Sequence, residues 1–190
     1  MKRVSFAVLA AAGLVTASGA QASVFPVLII VDNTDPSNVI FTATGNAAAV
    51  MDDSASIVGG VSLLDLFQGD GAIFTSTVIG GDLSPSGNPG AYNRFLNNIG
   101  DLGSTGLNFW ASGVGGPQMF NTTDPAFTGS TSGFDFGDVT FNSFGNIVIG
   151  DTAGIPGSGA ILGTWELIPS PGTLALALPF GMAAARRRRA

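Results

Sequence analysis

The chain has 190 residues, 45% of them apolar, with 28 glycines, 10 prolines and only 11% charged residues, which is too apolar for a disordered polymer and too short for two ordinary domains. Six of the seven basic residues sit at the ends, Lys2, Arg3 and Arg186 to Arg189, whereas all thirteen acidic residues lie between Asp32 and Glu166. With Arg94 alone against thirteen carboxylates, the middle carries a net charge of −12, which argues against nucleic acid as a partner and for cations or basic groups.

At the amino end, Lys2-Arg3 form a positive region, Val4 to Val15 a run of twelve mostly apolar residues, and Ala20-Gln21-Ala22 a small-residue cleavage pattern. This order is that of a secretory signal peptide over residues 1–22, cut by signal peptidase between Ala22 and Ser23. The alternative, an uncleaved anchor, wants about 20 apolar residues and finds fewer. Export would permit disulfides, yet the chain has no cysteine, so stability must come from burial. The segment Ser23 to Ile168 is long enough for that, since a domain of this size buries roughly 70% of its unfolded surface.

Within that segment, β-branched and alternating runs predict strands over Val24 to Val31, Val39 to Thr44, Ser56 to Val61, Ala72 to Ile79, Leu107 to Ala111, Phe134 to Phe136, Val139 to Phe144, Ile147 to Gly150 and Ile161 to Leu167. Asn33 to Asn38 is a dense turn cluster. Gly145-Asn146, between two apolar runs, has the composition of a two-residue hairpin turn. Two places break the β pattern. Tyr92, Phe95, Leu96 and Ile99 stand at i, i+3, i+4 and i+7 with Gly100 as a stop, predicting a short amphipathic helix over Ala91 to Ile99. Val61 to Gln68 fits a helical turn and a strand equally. Many short strands with turn signals between them predict an all-β fold, an antiparallel β-sandwich of jelly-roll type with one short helix. The signal peptide and a C-terminal apolar helix flank it.

The tail begins at Pro169. Thr173 to Ala185 is an apolar stretch of thirteen residues, broken by Pro179 and Gly181, and Arg186, Arg187, Arg188 and Arg189 follow as a block that resists translocation. Thirteen residues is short for a stable span. A helix of the globular domain, a permanent anchor and a transient sorting signal are the three readings. The first leaves four like charges at the end of a core helix without acidic neighbours.

The order of proline, one residue, proline, an apolar segment and a closing arginine cluster resembles the PEP-CTERM sorting signal of exported bacterial proteins. Pro169 and Pro171 take the two proline positions, Thr173 to Ala185 the apolar segment and Arg186 to Arg189 the basic end; Ser170 stands where that family usually has glutamate. The resemblance covers residues 169–190 alone. It implies processing by exosortase, an intramembrane cysteine transpeptidase-like enzyme, a transient stay in the inner membrane, and delivery to the cell surface or beyond, in association with extracellular polysaccharide and biofilm. The chain would be a substrate of that machinery.

Chemistry is narrowed by elimination. Without histidine or cysteine, Ser-His-Asp and Cys-His catalysis, ordinary zinc sites and common haem ligation are excluded, and without lysine after residue 2 so is a Ser-Lys hydrolase. Gly113-Val114-Gly115-Gly116 lacks the lysine of a phosphate loop. Paired-carboxylate glycoside hydrolysis survives on inventory, but no pair is singled out and Glu166 reads as a strand-end surface residue. Asp135 and Asp138, the pair Asp52-Asp53, and Asp70 could supply oxygen ligands to Ca²⁺, the one cofactor the sequence admits; aspartate is also an ordinary turn residue. Trp110 and Trp165 could stack on sugar rings or pack in the core. Asn121-Thr122-Thr123 formally matches a glycosylation acceptor, which a bacterial-type tail argues against. Two functions remain: a non-enzymatic surface or matrix protein, and a secreted carbohydrate-binding module or Asp-dependent carbohydrate-active enzyme.

Overall fold

The computed structural model describes residues 24–69, 77–97, 105–150 and 159–168. The signal-peptide region and the tail therefore lie outside the described residues, as does most of the strand expected over Ala72 to Ile79. Ten strands are present: β1 Val27–Asp32, β2 Ile40–Ala43, β3 Val61–Leu63, β4 Thr77–Val78, β5 Ser84–Pro85, β6 Arg94–Leu96, β7 Leu107–Trp110, β8 Phe127–Thr128, β9 Phe144–Ile149 and β10 Ile161–Ile168. Eight form one sheet in the order β2-β1-β10-β9-β3-β7-β6-β4, and β5 pairs with β8 in a small second sheet.

The fold is all-β, but it is one strongly curled mixed sheet where an antiparallel sandwich was expected. The first and last strands run side by side and parallel, with Ile29 opposite Trp165 and Asp32 opposite Ile168, while every other pair is antiparallel. Curvature follows from one contact. Phe41 on β2 and Phe109 on β7 are five strands apart, about 24 Å on a flat sheet at the usual strand spacing, yet their ring centroids are 5.0 Å apart. The sheet bends until its inner faces meet.

Cross-strand partners share a face, so the inner face can be followed across the sheet through Phe41, Ile29, Trp165, Ile147, Leu63 and Phe109, all fully buried. Phe134, Phe136 and Phe141 enter from the following loop. They join Phe41, Phe67, Phe95 and Phe109 in an aromatic cluster built largely of edge-to-face contacts, such as Phe134 to Phe136 at 4.5 Å. A cysteine-free domain needs such a core, because nothing covalent holds the chain ends together.

A second layer runs from edge to edge. Residues 39–56 and 117–134 lie antiparallel, paired through isolated bridges, Val39 to Phe134, Thr42 to Ser130, Ala47 to Pro125, Asp52 to Phe120 and Ser56 to Pro117, with single backbone bonds such as Ala48 N to Asn121 O (3.1 Å) between them. On the other flank of 117–134 lie residues 80–86, through Ser132 N to Gly80 O (2.8 Å), Asp82 N to Ser130 O (2.9 Å) and the β5–β8 pair. Because residue 80 follows β4 and residue 43 ends β2, this ribbon joins both edges of the curled sheet and covers backbone that would otherwise invite foreign strands.

Three local expectations are overturned. The predicted helix over Ala91 to Ile99 is instead β6 at Arg94–Leu96, with Phe95 turned to the core and Asn97 also buried; Asn98 and Ile99 lie outside the described residues. Gly145-Asn146 is no hairpin turn but lies inside β9, which pairs on one side with β10 and on the other with β3. Of the strands expected over Val139 to Phe144, Phe134 to Phe136 and Ser56 to Val61, residues 139–143 and 134–136 are loop bridged only at Phe141 and Phe134, Phe144 begins β9, and residues 57–59 are a turn with only Val61 in β3. Gly145 has a packing reason: a Cβ there would meet Leu64 O at 2.4 Å and Trp165 Nε1 at 2.6 Å. The indole of Trp165 lies over it and donates its N–H to Leu64 O at 3.0 Å.

Candidate functional site

Of the carboxylates that the sequence offers as ligands, Asp52 and Asp135 cap their own turns, as Asp32 and Asp35 also do, and Asp70 lies outside the described residues. Asp135 Oδ1 accepts the Gly137 N–H at 2.6 Å, Asp32 Oδ1 accepts from Thr34 N at 3.0 Å, Asp35 Oδ1 accepts from both Ser37 N and Ser37 Oγ, and Asp52 Oδ1 accepts from Ser54 N at 2.8 Å. Each is the self-capping that makes aspartate a turn former. Asp82 acts across the ribbon, accepting from Ser130 N at 2.8 Å. Asp135 and Asp138 are exposed on one loop, and among the described residues no group of three or more acidic side chains is close enough to hold a metal. Asn121, the formal glycosylation position, accepts from Thr123 N and Asp124 N and donates to Asp124 Oδ2.

Both tryptophans are interior. Trp165 is 0% exposed in the middle of β10 and Trp110 is 7% exposed on β7, so neither ring has a free face to lay on a sugar. Glu166 stands exposed on the outer face of β10, opposite Phe144 and Ile30.

Composition could not show a buried polar knot. Tyr92 is wholly buried and its hydroxyl bonds to Gln118 Oε1. Gln118 Nε2 donates to Gly60 O (2.8 Å) and Ser56 O (3.2 Å). Burial, with no countercharge, pushes the Tyr92 phenol well above its ordinary pKa and keeps it neutral. Nearby, Asn108 Nδ2 bonds to Gly59 O, Val61 O and Ser62 Oγ. These amides hold the 56–60 turn against β7 in the place of ladder bonds. The knot is structural: its amides and the phenol bond to one another and to main-chain carbonyls.

An open cleft, of about 300 Å³, lies at the Asp52–Phe120 bridge of the ribbon, lined by Met51, Asp52, Asp53, Met119, Phe120 and Asn121. Met51 and Met119 are exposed, and they are the only methionines between Ser23 and Ile168. Adaptable thioethers beside carboxylates suit an apolar group with a positive end. The signal was present in the sequence as two isolated methionines, but 68 residues of chain hid their proximity. No family model, no curated protein and no solved structure matches the chain.

Proposed function

We propose that the chain is an exported, non-enzymatic protein of the cell surface or extracellular matrix, sorted through its tail by an exosortase-like enzyme and retained in an exopolysaccharide or biofilm layer. The observation that carries this reading is the placement of the two processing signals. The signal-peptide cleavage point at Ala22 and Ser23 precedes β1, and the Pro169-Ser170-Pro171 motif follows β10 directly, so removal of both ends takes no strand of the described fold. The acidic surface supports the second half of the reading, since exposed carboxylates that cap turns still present charge that divalent cations can bridge to anionic polysaccharide.

Intact-mass measurement of the protein recovered from outside its native host tests the sorting. The expected species begins at Ser23 and lacks Arg186 to Arg189; recovery of secreted protein with those arginines attached overturns it. Retention is tested by washing cells with a chelator, which should release the protein, whereas release by monovalent salt alone would remove the cation bridge from the account.

A further inference from the structure

The first and last strands of the fold are neighbours, and they point the same way. Pulling on the chain before β1 and after β10 therefore draws β1 toward one end of the sheet and β10 toward the other, along their shared ladder. The ladder extends from Thr164 N bonding Pro26 O at 2.8 Å to the Asp32–Ile168 pair, with a bulge between Val27 and Ile29. Along it, sliding must strain every cross-strand bond together, whereas strands pulled apart from one end yield one pair at a time.

Packing adds to the resistance. Ile29 and Val31 on β1 face the core with Trp165 on β10, all fully buried, so a slip by one residue would turn them toward solvent. Neither strand is at an edge: β1 is also held by β2 and β10 by β9. Exposed handles exist at both ends, Val24 at 95% and Ile168 at 41%.

From this arrangement we infer that the domain is a tension-bearing link, a shear clamp that stays folded when force runs between its N-terminal and C-terminal ends. That such tension arises in the cell rests on the surface reading proposed above; the clamp itself rests only on strand direction and register.

Single-molecule pulling tests it, and the absence of cysteine makes specific handles simple. All ten strands lie within residues 24–168, so the segment 23–168 carries the described fold. One variant takes Val24→Cys with Ile168→Cys and is pulled in shear. The other takes Phe144→Cys with Ile168→Cys; Phe144 is 63% exposed and pairs with Glu166, so both handles sit at one end of the sheet and force peels β10 from β9. Ser143→Cys serves in the same geometry if Phe144→Cys lowers the denaturation midpoint. Forced unfolding follows the barrier along the pulled direction, so at equal loading rate the shear pair should rupture at about twice the force of the peeling pair or more. Equal or lower force in shear overturns the proposal. The pulled segment has no tail, so this result is independent of the mass measurement that tests sorting.

Discussion

The sheet around β10 and the ribbon of residues 39–56 and 117–134 are both extended chain lying beside extended chain, yet they are held by different groups. Across β1, β10 and β9 the main chain satisfies itself in ladders broken only by one bulge each, and the side chains are free to be large and apolar. In the ribbon the bridges are isolated and side chains fill the gaps: Thr131 Oγ1 accepts from Phe41 N at 2.9 Å, Asn88 Nδ2 donates to Pro117 O at 3.0 Å, and Gln118 reaches Ser56 and Gly60. Regular backbone places the stability in volume, and irregular backbone places it in individual polar atoms. A substitution should then be severe in one region for its shape and in the other for its hydrogen bonds.

The largest effect is expected in the regular half. Trp165→Ala removes a fully buried ring and the bond to Leu64 O, and should lower the unfolding free energy by about 3–5 kcal/mol in chemical denaturation. A loss below about 1 kcal/mol would break the picture of a volume-limited centre. In the ribbon, Gln118→Leu nearly conserves size but strands the Tyr92 hydroxyl, while Ser56 O keeps the Gly59 N–H and Gly60 O the Gly150 N–H, at about 1–3 kcal/mol for a buried group left unpaired. If it is neutral, the side chains are not doing the ladder's work.

Alkaline pH sharpens the same point. The unfolded phenol titrates near its ordinary value of about 10, while the buried Tyr92 titrates higher. Above that pH the unfolded state has released a proton that the native state still holds, so stability is whole below about pH 10 and drains as pH rises through the folded value. Tyr92 is the only tyrosine, so phenolate absorbance reports this one group, and its appearance should coincide with unfolding. Phenolate forming in the still-folded protein would deny the burial. The smallest effect belongs to the exposed turns. Asp135→Asn keeps the acceptor for Gly137 N–H and should change stability by no more than about 0.5 kcal/mol by denaturant melting.

The regular half was also the legible half. Continuous β-branched runs predict β1, β2, β7 and β10 to within a few residues, because strands buried on one or both faces select such residues. The misreadings have local causes. Four apolar residues at helical spacing around Phe95 satisfy a strand as well, because in β6 only Phe95 needs to face the core. Gly145-Asn146 carries a turn composition, but the glycine is there to admit the ring of Trp165, which only the folded sheet reveals. Residues 45–55 and 117–133 of the ribbon drew no strand prediction, since side-chain hydrogen bonds leave no periodicity behind. Parallel pairing of β1 with β10 joins residues 138 apart and has no local signal at all. Of the candidate site residues, Asp135 and Asp138 lie exposed on a loop where Asp135 had been read into a strand; the terminal processing residues lie outside the described residues.

The position of β10 has a consequence for biosynthesis. The last of the described strands lies inside the sheet, third of eight, so the nascent polypeptide cannot complete this core until Ile168 has been synthesised. Until then β1 and β9 lack the neighbour that lies between them. If the chain is exported as proposed above, premature compaction before it has threaded a narrow channel is thereby postponed by topology alone.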